Sequence, residues 1–230
     1  MSAVKIDYYS DVLCIWAYVA ERRLFQLVWD FDEDIAIKPR FCSVFPDAIG
    51  KIESVWKDRG SYEGFNAHVR DVAASFDHIK VNDRLWLDVR PRTSASAHLH
   101  VKAVEAVELE RSGGQLPPFS ERVSVRYEAA LRHAFFVDGR DISDWDVLHE
   151  IAADHGVGAE ALDAKIRSSQ AVAMLTADTN LAQAEGVKGS PTYLMNHGRQ
   201  KLFGNVGYRL LQANVQELLR NPSPNEASWC

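Results

Sequence analysis

The sequence predicts an α/β fold interrupted by a large all-helical insertion. Three observations predict it. Strand-like patterns are confined to the two ends of the chain. The long middle carries helical periodicity and almost no alternation. The opening order is β-helix-β, which implies a parallel strand pair joined by a right-handed crossover.

Residues 4–9, Val-Lys-Ile-Asp-Tyr-Tyr, alternate as a first strand. Ser10-Asp11-Val12-Leu13 make a short loop, and an amphipathic helix is predicted over 14–29, with Val19, Ala20, Leu24, Leu27 and Val28 at helical spacing. Residues 35–44 read as a second strand that Pro39 places near an edge or a bulge. Helix patterns follow over 93–111, stopped by Gly113-Gly114, and from Pro117-Pro118 to about 135. Ser143-Asp144-Trp145-Asp146 resembles a capping box that launches a helix over 145–155, ended by Gly156. Residues 159–184 give one or two further helices, ending at Gly186. Strands return over 191–195 and 200–203 around the turn-rich Asn196-His197-Gly198-Arg199, and a last amphipathic helix spans 208–220 before Asn221-Pro222. The division is therefore an α/β domain of residues 1–47 and 186–222, an insertion of 48–185 and a tail of 223–230. A split α/β unit with this half-and-half construction resembles a thioredoxin fold.

Bulk properties narrow the function. With 230 residues, 47% hydrophobic and 25% charged, the chain can bury a core without disulfides or metals. A formal charge of -6 argues against nucleic acid and anionic membrane as partners. No apolar run reaches the roughly 18 residues of a membrane span, and no signal-like leader is recognisable at the N-terminus. Three scattered cysteines, Cys14, Cys42 and Cys230, do not form a disulfide framework and fit a reducing, cytoplasmic compartment.

Cys14 stands where the first helix begins. There, unpaired backbone N–H groups and the helix dipole favour negative charge and can lower a thiol from about 8.5 into the 3.5–7.5 range. In the second half, Gly189-Ser190-Pro191-Thr192 precedes a strand and is placed to form a cis-proline loop facing the thiol.

The segment Ser10-Asp11-Val12-Leu13-Cys14-Ile15-Trp16-Ala17-Tyr18 resembles the active-site turn of DsbA-like oxidoreductases of the FrnE type, which mostly carry Cys-Pro-Trp-Cys here. The stretches 134–143 and 186–192 resemble the same branch, so the likeness runs through the whole chain. It implies a DsbA-like thioredoxin fold and thiol chemistry at Cys14, with Ile15, Trp16, Ala17, Ser190, Pro191 and Thr192 around the substrate. Glutathione transferase kappa and 2-hydroxychromene-2-carboxylate isomerase are similar in layout, with a serine in the place of Cys14. By that likeness the Ser190 backbone would pair with the cysteine unit of glutathione and Asn205 would hold the γ-glutamyl end, although these relatives usually carry an acidic residue there. Two of the four motif positions depart from the pattern: Ile15 replaces proline and Ala17 replaces the resolving cysteine.

Three mechanisms follow. Cys14 is a monothiol nucleophile resolved by an external thiol such as glutathione; or Cys14 orients glutathione for transfer to, or isomerisation of, a small apolar electrophile; or the scaffold only binds. Glutathione is expected as a co-substrate rather than a bound cofactor, the partner is a small thiol or disulfide, and a homodimer is a possible assembly. Cys42 reads as packing and Cys230 as a weak candidate resolver. Asp11 reads as an N-cap or turn residue rather than a proton acceptor. His98 and His100, two apart, fall on different helix faces and suggest no metal site, and His133 reads as structural. Trp16 is expected on the cleft wall, with Trp56, Trp86, Phe135 and Phe136 in packing roles, and the insertion is expected to cover the cleft and enclose an apolar pocket.

Overall fold

The computed structural model describes residues 3–220. The tail, Cys230 and the helix stop at Asn221-Pro222 lie outside the described residues. The order is β1 (Val4–Ser10), α1 (Ile15–Phe31), β2 (Ile35–Phe41), then seven helices, α2 (Ala48–Val55), α3 (Ser61–Ala74), α4 (Ala95–Arg111), α5 (Val123–Phe136), α6 (Trp145–Asp154), α7 (Ala159–Arg167) and α8 (Gln170–Ala184), then β3 (Thr192–Met195), β4 (Gln200–Phe203) and α9 (Tyr208–Leu219). The strands form one sheet in the order β2-β1-β3-β4. β1 pairs with β2 in parallel and with β3 antiparallel, and β3 pairs antiparallel with β4. This is a DsbA-like thioredoxin fold with a helical insertion between β2 and β3.

Local chemistry explains the element boundaries. Pro39 is tolerated because β2 is an edge strand, so a missing N–H breaks no second ladder. The helix predicted to open at Pro117-Pro118 begins instead at Val123, because Pro118 is extended and residues Phe119–Glu121 form a separate 3₁₀ turn. The first N–H groups of α5 are met by a neighbouring helix: Val123 and Ser124 donate to the Glu108 carboxylate at 2.7 and 3.3 Å. Residues 159–184 make two helices because Ser169 takes a left-handed conformation, φ 62°, between them. α6 starts at Trp145 as expected, but its cap is Asp144, which accepts from Asp146 N, and not the Ser143 of a capping box, whose hydroxyl donates to Asp141.

Side chains alternate across β1. Ile6 and Tyr8 join Leu24 and Leu27 of α1 and Leu211 and Val215 of α9 in a core on one face. Asp7 and Tyr9 face the other side, where α8 docks through a small apolar cluster of Tyr9, Cys42, Ala182 and Leu194 and through charge. Asp178 of α8 accepts from Arg40 at 2.8 Å and from Phe41 N at 3.2 Å, and pairs with Lys102 of α4 at 2.8 Å. Arg40 also donates to Asp7 at 2.5 Å, and Lys102 to Glu105 at 2.8 Å. Lys102 and Asp178 are buried. A third apolar body joins the Cys14 turn to Phe45, Phe65, Trp86, Phe135 and Phe136 of the insertion. Among the described residues no helix is long and apolar enough to cross a membrane.

Removing the central anion of this network leaves Arg40 with Asp7 alone and Lys102 with Glu105 alone, and it takes the one acceptor the two cations share. Asp178→Ala should lower unfolding free energy by about 3–5 kcal/mol. Urea titration followed by circular dichroism measures it; a loss under 1 kcal/mol would show that the network carries no such weight.

Candidate active site

The site is built where β1 ends. Asp11 makes a tight turn: its Oδ1 accepts from Leu13 N at 2.9 Å and its carbonyl from Cys14 N at 3.0 Å. Cys14 is then the N-cap of α1, with extended backbone, and its carbonyl accepts from Ala17 N and Tyr18 N. The other Asp11 oxygen, Oδ2, accepts from Val44 N and Phe45 N, each at 3.0 Å, and from the Ser94 hydroxyl at 2.8 Å. One buried carboxylate thus ties the thiol turn to the loop after β2 and to the start of α4. Val12 N donates to Nε2 of His98 at 3.2 Å, which leaves the imidazole proton on Nδ1; the ring stacks on Phe41 at 4.1 Å between centroids. Burial lowers the His98 pKa and keeps the ring neutral.

The C-terminal half arrives from the opposite side. Ser190 Oγ accepts from Asp11 N at 2.9 Å, and the Ser190 carbonyl accepts from the Cys14 thiol at 3.3 Å. The Ser190-Pro191 peptide is cis. Thr192 opens β3, and its hydroxyl donates to Gly189 O at 2.7 Å, while Gly204 N donates to Pro191 O at 2.8 Å. The structure therefore brings Cys14, Ser190, Pro191 and Thr192 together across 176 residues of sequence.

The expectation of a thiol held ionised by the helix requires correction. Cys14 is only 6% exposed, and burial raises its pKa above the ordinary thiol value. The Ser190 side chain and the amides of Ala17 and Trp16 pull the other way, and the Asp11 charge adds to the rise. Desolvation wins because the insertion closes over the turn. In this state Cys14 is a protonated donor to Ser190 O.

The remaining candidates separate cleanly. Ile15 and Ala17 are buried, and Ala17 puts a methyl where a second sulfur would stand. Trp16, the second residue of α1, is half-buried with its edge on Phe76 at 6.4 Å. Asn205 is exposed and accepts from Arg23 of α1 at 2.5 Å, on the surface of the loop before α9. Cys42 packs against Tyr9, Ala182 and Leu194, and burial pushes its thiol up to about 12. His133 is exposed beside Asp138, whereas His100 packs edge-on to Trp145 at 4.7 Å. Trp86, Phe135 and Phe136 are fully buried, and Trp56 is half-buried against Phe65. A cavity of about 380 Å³ flanks the turn at Cys42 and Gly189.

Sequence reasoning missed a polar cluster directly behind the turn. Arg132 of α5 bonds Ser10 Oγ at 3.0 Å, Glu21 of α1 at 3.2 Å, and Glu128. Glu128 and Arg132, four apart on a helix, look in sequence like a solvated surface pair. It also missed Ser94 and His98 as partners of the Asp11 turn, because nothing local links positions more than 80 apart.

Comparison with known proteins agrees with this fold. Residues 120–216 match the DSBA-like thioredoxin domain family. A probable DsbA oxidoreductase from Streptomyces coelicolor superposes with TM-score 0.72 at 16% identity, covering 97% of this chain and 93% of its own. The cytosolic disulfide reductase DsbM from Pseudomonas aeruginosa gives 0.67 at 22% identity, covering 95% and 100%; a second structure of DsbM, with GSH, is also similar. A 2-hydroxychromene-2-carboxylate isomerase gives 0.63 at 16% identity, covering 97% and 100%. A search of curated proteins found no match. At these identities the structures establish the fold.

Two pH experiments follow. Iodoacetamide alkylation of Cys14 in the free protein should keep rising above pH 9, without a plateau near neutrality; a plateau below pH 8 would reinstate an activated thiolate. Buried, neutral His98 and His100, the latter lowered to about 4, make acid destabilising. Their folded pKa values lie below the unfolded value of about 6.5, so protons bind the unfolded chain first. Stability should fall as pH drops from about 6.5 towards 4, and His100→Gln should flatten that fall in urea titrations.

Proposed function

We propose that this chain is a thiol–disulfide exchange enzyme in which Cys14 works as a single nucleophile and glutathione completes the cycle. The observation that carries the reading is the Cys14 sulfur at the N-terminus of α1, 3.3 Å from the Ser190 carbonyl, with Ala17 where an internal resolving thiol would stand. The thiol first gives its proton to solvent. The Cys14 thiolate then attacks one sulfur of a substrate disulfide, forming a mixed disulfide and expelling the other sulfur as a thiolate. An external thiolate attacks the adduct, restores the Cys14 thiolate and carries the bound half away as a new disulfide. Electrons balance between one disulfide consumed and one produced.

Ser190, Pro191 and Trp16 form the rim against which the substrate lies. A substrate backbone that takes over the Ser190 carbonyl releases the thiol from its present acceptor, and the amides of Trp16 and Ala17 are then left to receive the negative charge. The cycle is proposed for the cytoplasm, whose thiol pool would drive the second step.

The raised thiol pKa favours a second reading. A protonated Cys14 can donate a hydrogen bond to the thiolate of bound glutathione and orient it for transfer or isomerisation of a small electrophile. Here Cys14 never becomes covalently modified.

Intact-mass spectrometry after incubation with oxidised glutathione separates the two. Exchange requires one glutathione adduct, located on Cys14, removed by reduced glutathione and abolished in Cys14→Ser. If no adduct forms at pH 8.5 while calorimetry detects glutathione binding, the exchange reading falls and the second one stands.

A further inference from the structure

The cavity beside the proline loop is not used by the chemistry above. It encloses about 380 Å³ between the segment after β2, the last turns of α8 and the residues leading to Ser190. Lys51 and Lys188 are the charged residues that line it, Thr179 and Gln183 are neutral polar ones, and no Asp or Glu is among its lining residues. In a chain of formal charge -6, a concave surface of purely positive sign stands apart from its surroundings.

Lys51 is held in place. Its Nζ donates to the Val44 carbonyl at 2.7 Å and lies 4.5 Å from the centre of the Phe45 ring, so its remaining protons are offered without the entropy cost of a free side chain. Two buried acids of the surrounding elements are committed elsewhere. Asp178, adjacent to Thr179, is engaged by Arg40 and Lys102. Asp11 is saturated by three backbone amides and the Ser94 hydroxyl. Neither neutralises the cavity by a direct pair.

Position connects the cavity to the sulfur. Gly189 lines it, and the next residue, Ser190, accepts from the Cys14 thiol at 3.3 Å. Cys42, also in its lining, is close enough to Cys14 for the two thiols to interact electrostatically.

We propose that this cavity is a subsite for a carboxylate carried by the thiol or disulfide substrate, so that Lys51 and Lys188 select acidic substrates over neutral ones. The inference rests on the Cys14 exchange reading.

The test compares two disulfides on the same protein. Rates of mixed-disulfide formation are measured by intact mass with oxidised glutathione, which is anionic, and with bis(2-hydroxyethyl) disulfide, which is neutral. The ratio of the two rates should fall about tenfold in Lys51→Gln/Lys188→Gln, the low end of what a focused field contributes. The exposed single variant Lys188→Glu, and added potassium chloride on the unmodified protein, should lower it in the same direction. A ratio that is equal in all proteins and indifferent to salt overturns the subsite while leaving exchange at Cys14 intact. If neither disulfide modifies the unmodified protein, the exchange reading and the subsite fall together.

Discussion

The antiparallel pairing of β1 with β3 is the constraint on which the site depends. Among the described residues it is the ladder that joins the N-terminal β-α-β half to the C-terminal β-β-α half, and its register sets Tyr8 opposite Tyr193 and Tyr9 opposite Thr192. Ser190 therefore arrives just past the end of the ladder, where the Asp11 turn begins, and the bond from Asp11 N to Ser190 Oγ falls two residues further along the same register. A slip of one residue would turn Tyr193 and Met195 away from α1 and α9 and withdraw Ser190 from the sulfur together. The parallel ladder works in the same way on the other side. Ser10 pairs with Phe41, Cys42 N donates to Ser10 O, and Val44 and Phe45 thereby come within reach of the Asp11 carboxylate.

What could be read from sequence was whatever is local or periodic. The strand, short loop and helix around Cys14 lie within thirty residues, and the Gly189-Ser190-Pro191-Thr192 loop announces itself by proline before a strand. Edge placement of β2 followed from Pro39 alone. The Asp11 network could not be read, because Ser94 lies 83 residues away and its partnership exists only once α4 has packed. The opening of α5 was misjudged for a related reason. Pro117-Pro118 is a good local start, but the Glu108 carboxylate offers a better one six residues later.

The protonation of Cys14 shows how a sound local argument loses to a tertiary one. A helix N-terminus contributes on the order of 1 kcal/mol to a nearby anion. Full burial of an ionisable group shifts its pKa by as much as 3–5 units, at about 1.4 kcal/mol each. With Phe41, Phe45 and the insertion packed around the turn, the larger effect raises the thiol. The helix contribution is present nonetheless, in the amides of Ala17 and Trp16, and it determines where charge would be received once the sulfur is approached.

Access to that sulfur must come from the rim of the turn rather than from a swing of the insertion. Buried charge fixes the insertion to the sheet region on two sides. Asp178 joins α8 to β2 and α4, and Arg132 joins α5 to β1 and α1. Separating either set strands charges in a low-dielectric interior, where broken pairs cost several kcal/mol. Trp16 carries no such anchor: it is half-buried and held by an edge contact with Phe76. The 186–190 segment is tied mainly at its ends, through Val187 N to Ala182 O and through Ser190. A small displacement of these two elements opens the sulfur without touching either ionic cluster. This divides the labour between a charge-pinned frame that sets the geometry and a less firmly anchored rim on which the proposed exchange would depend.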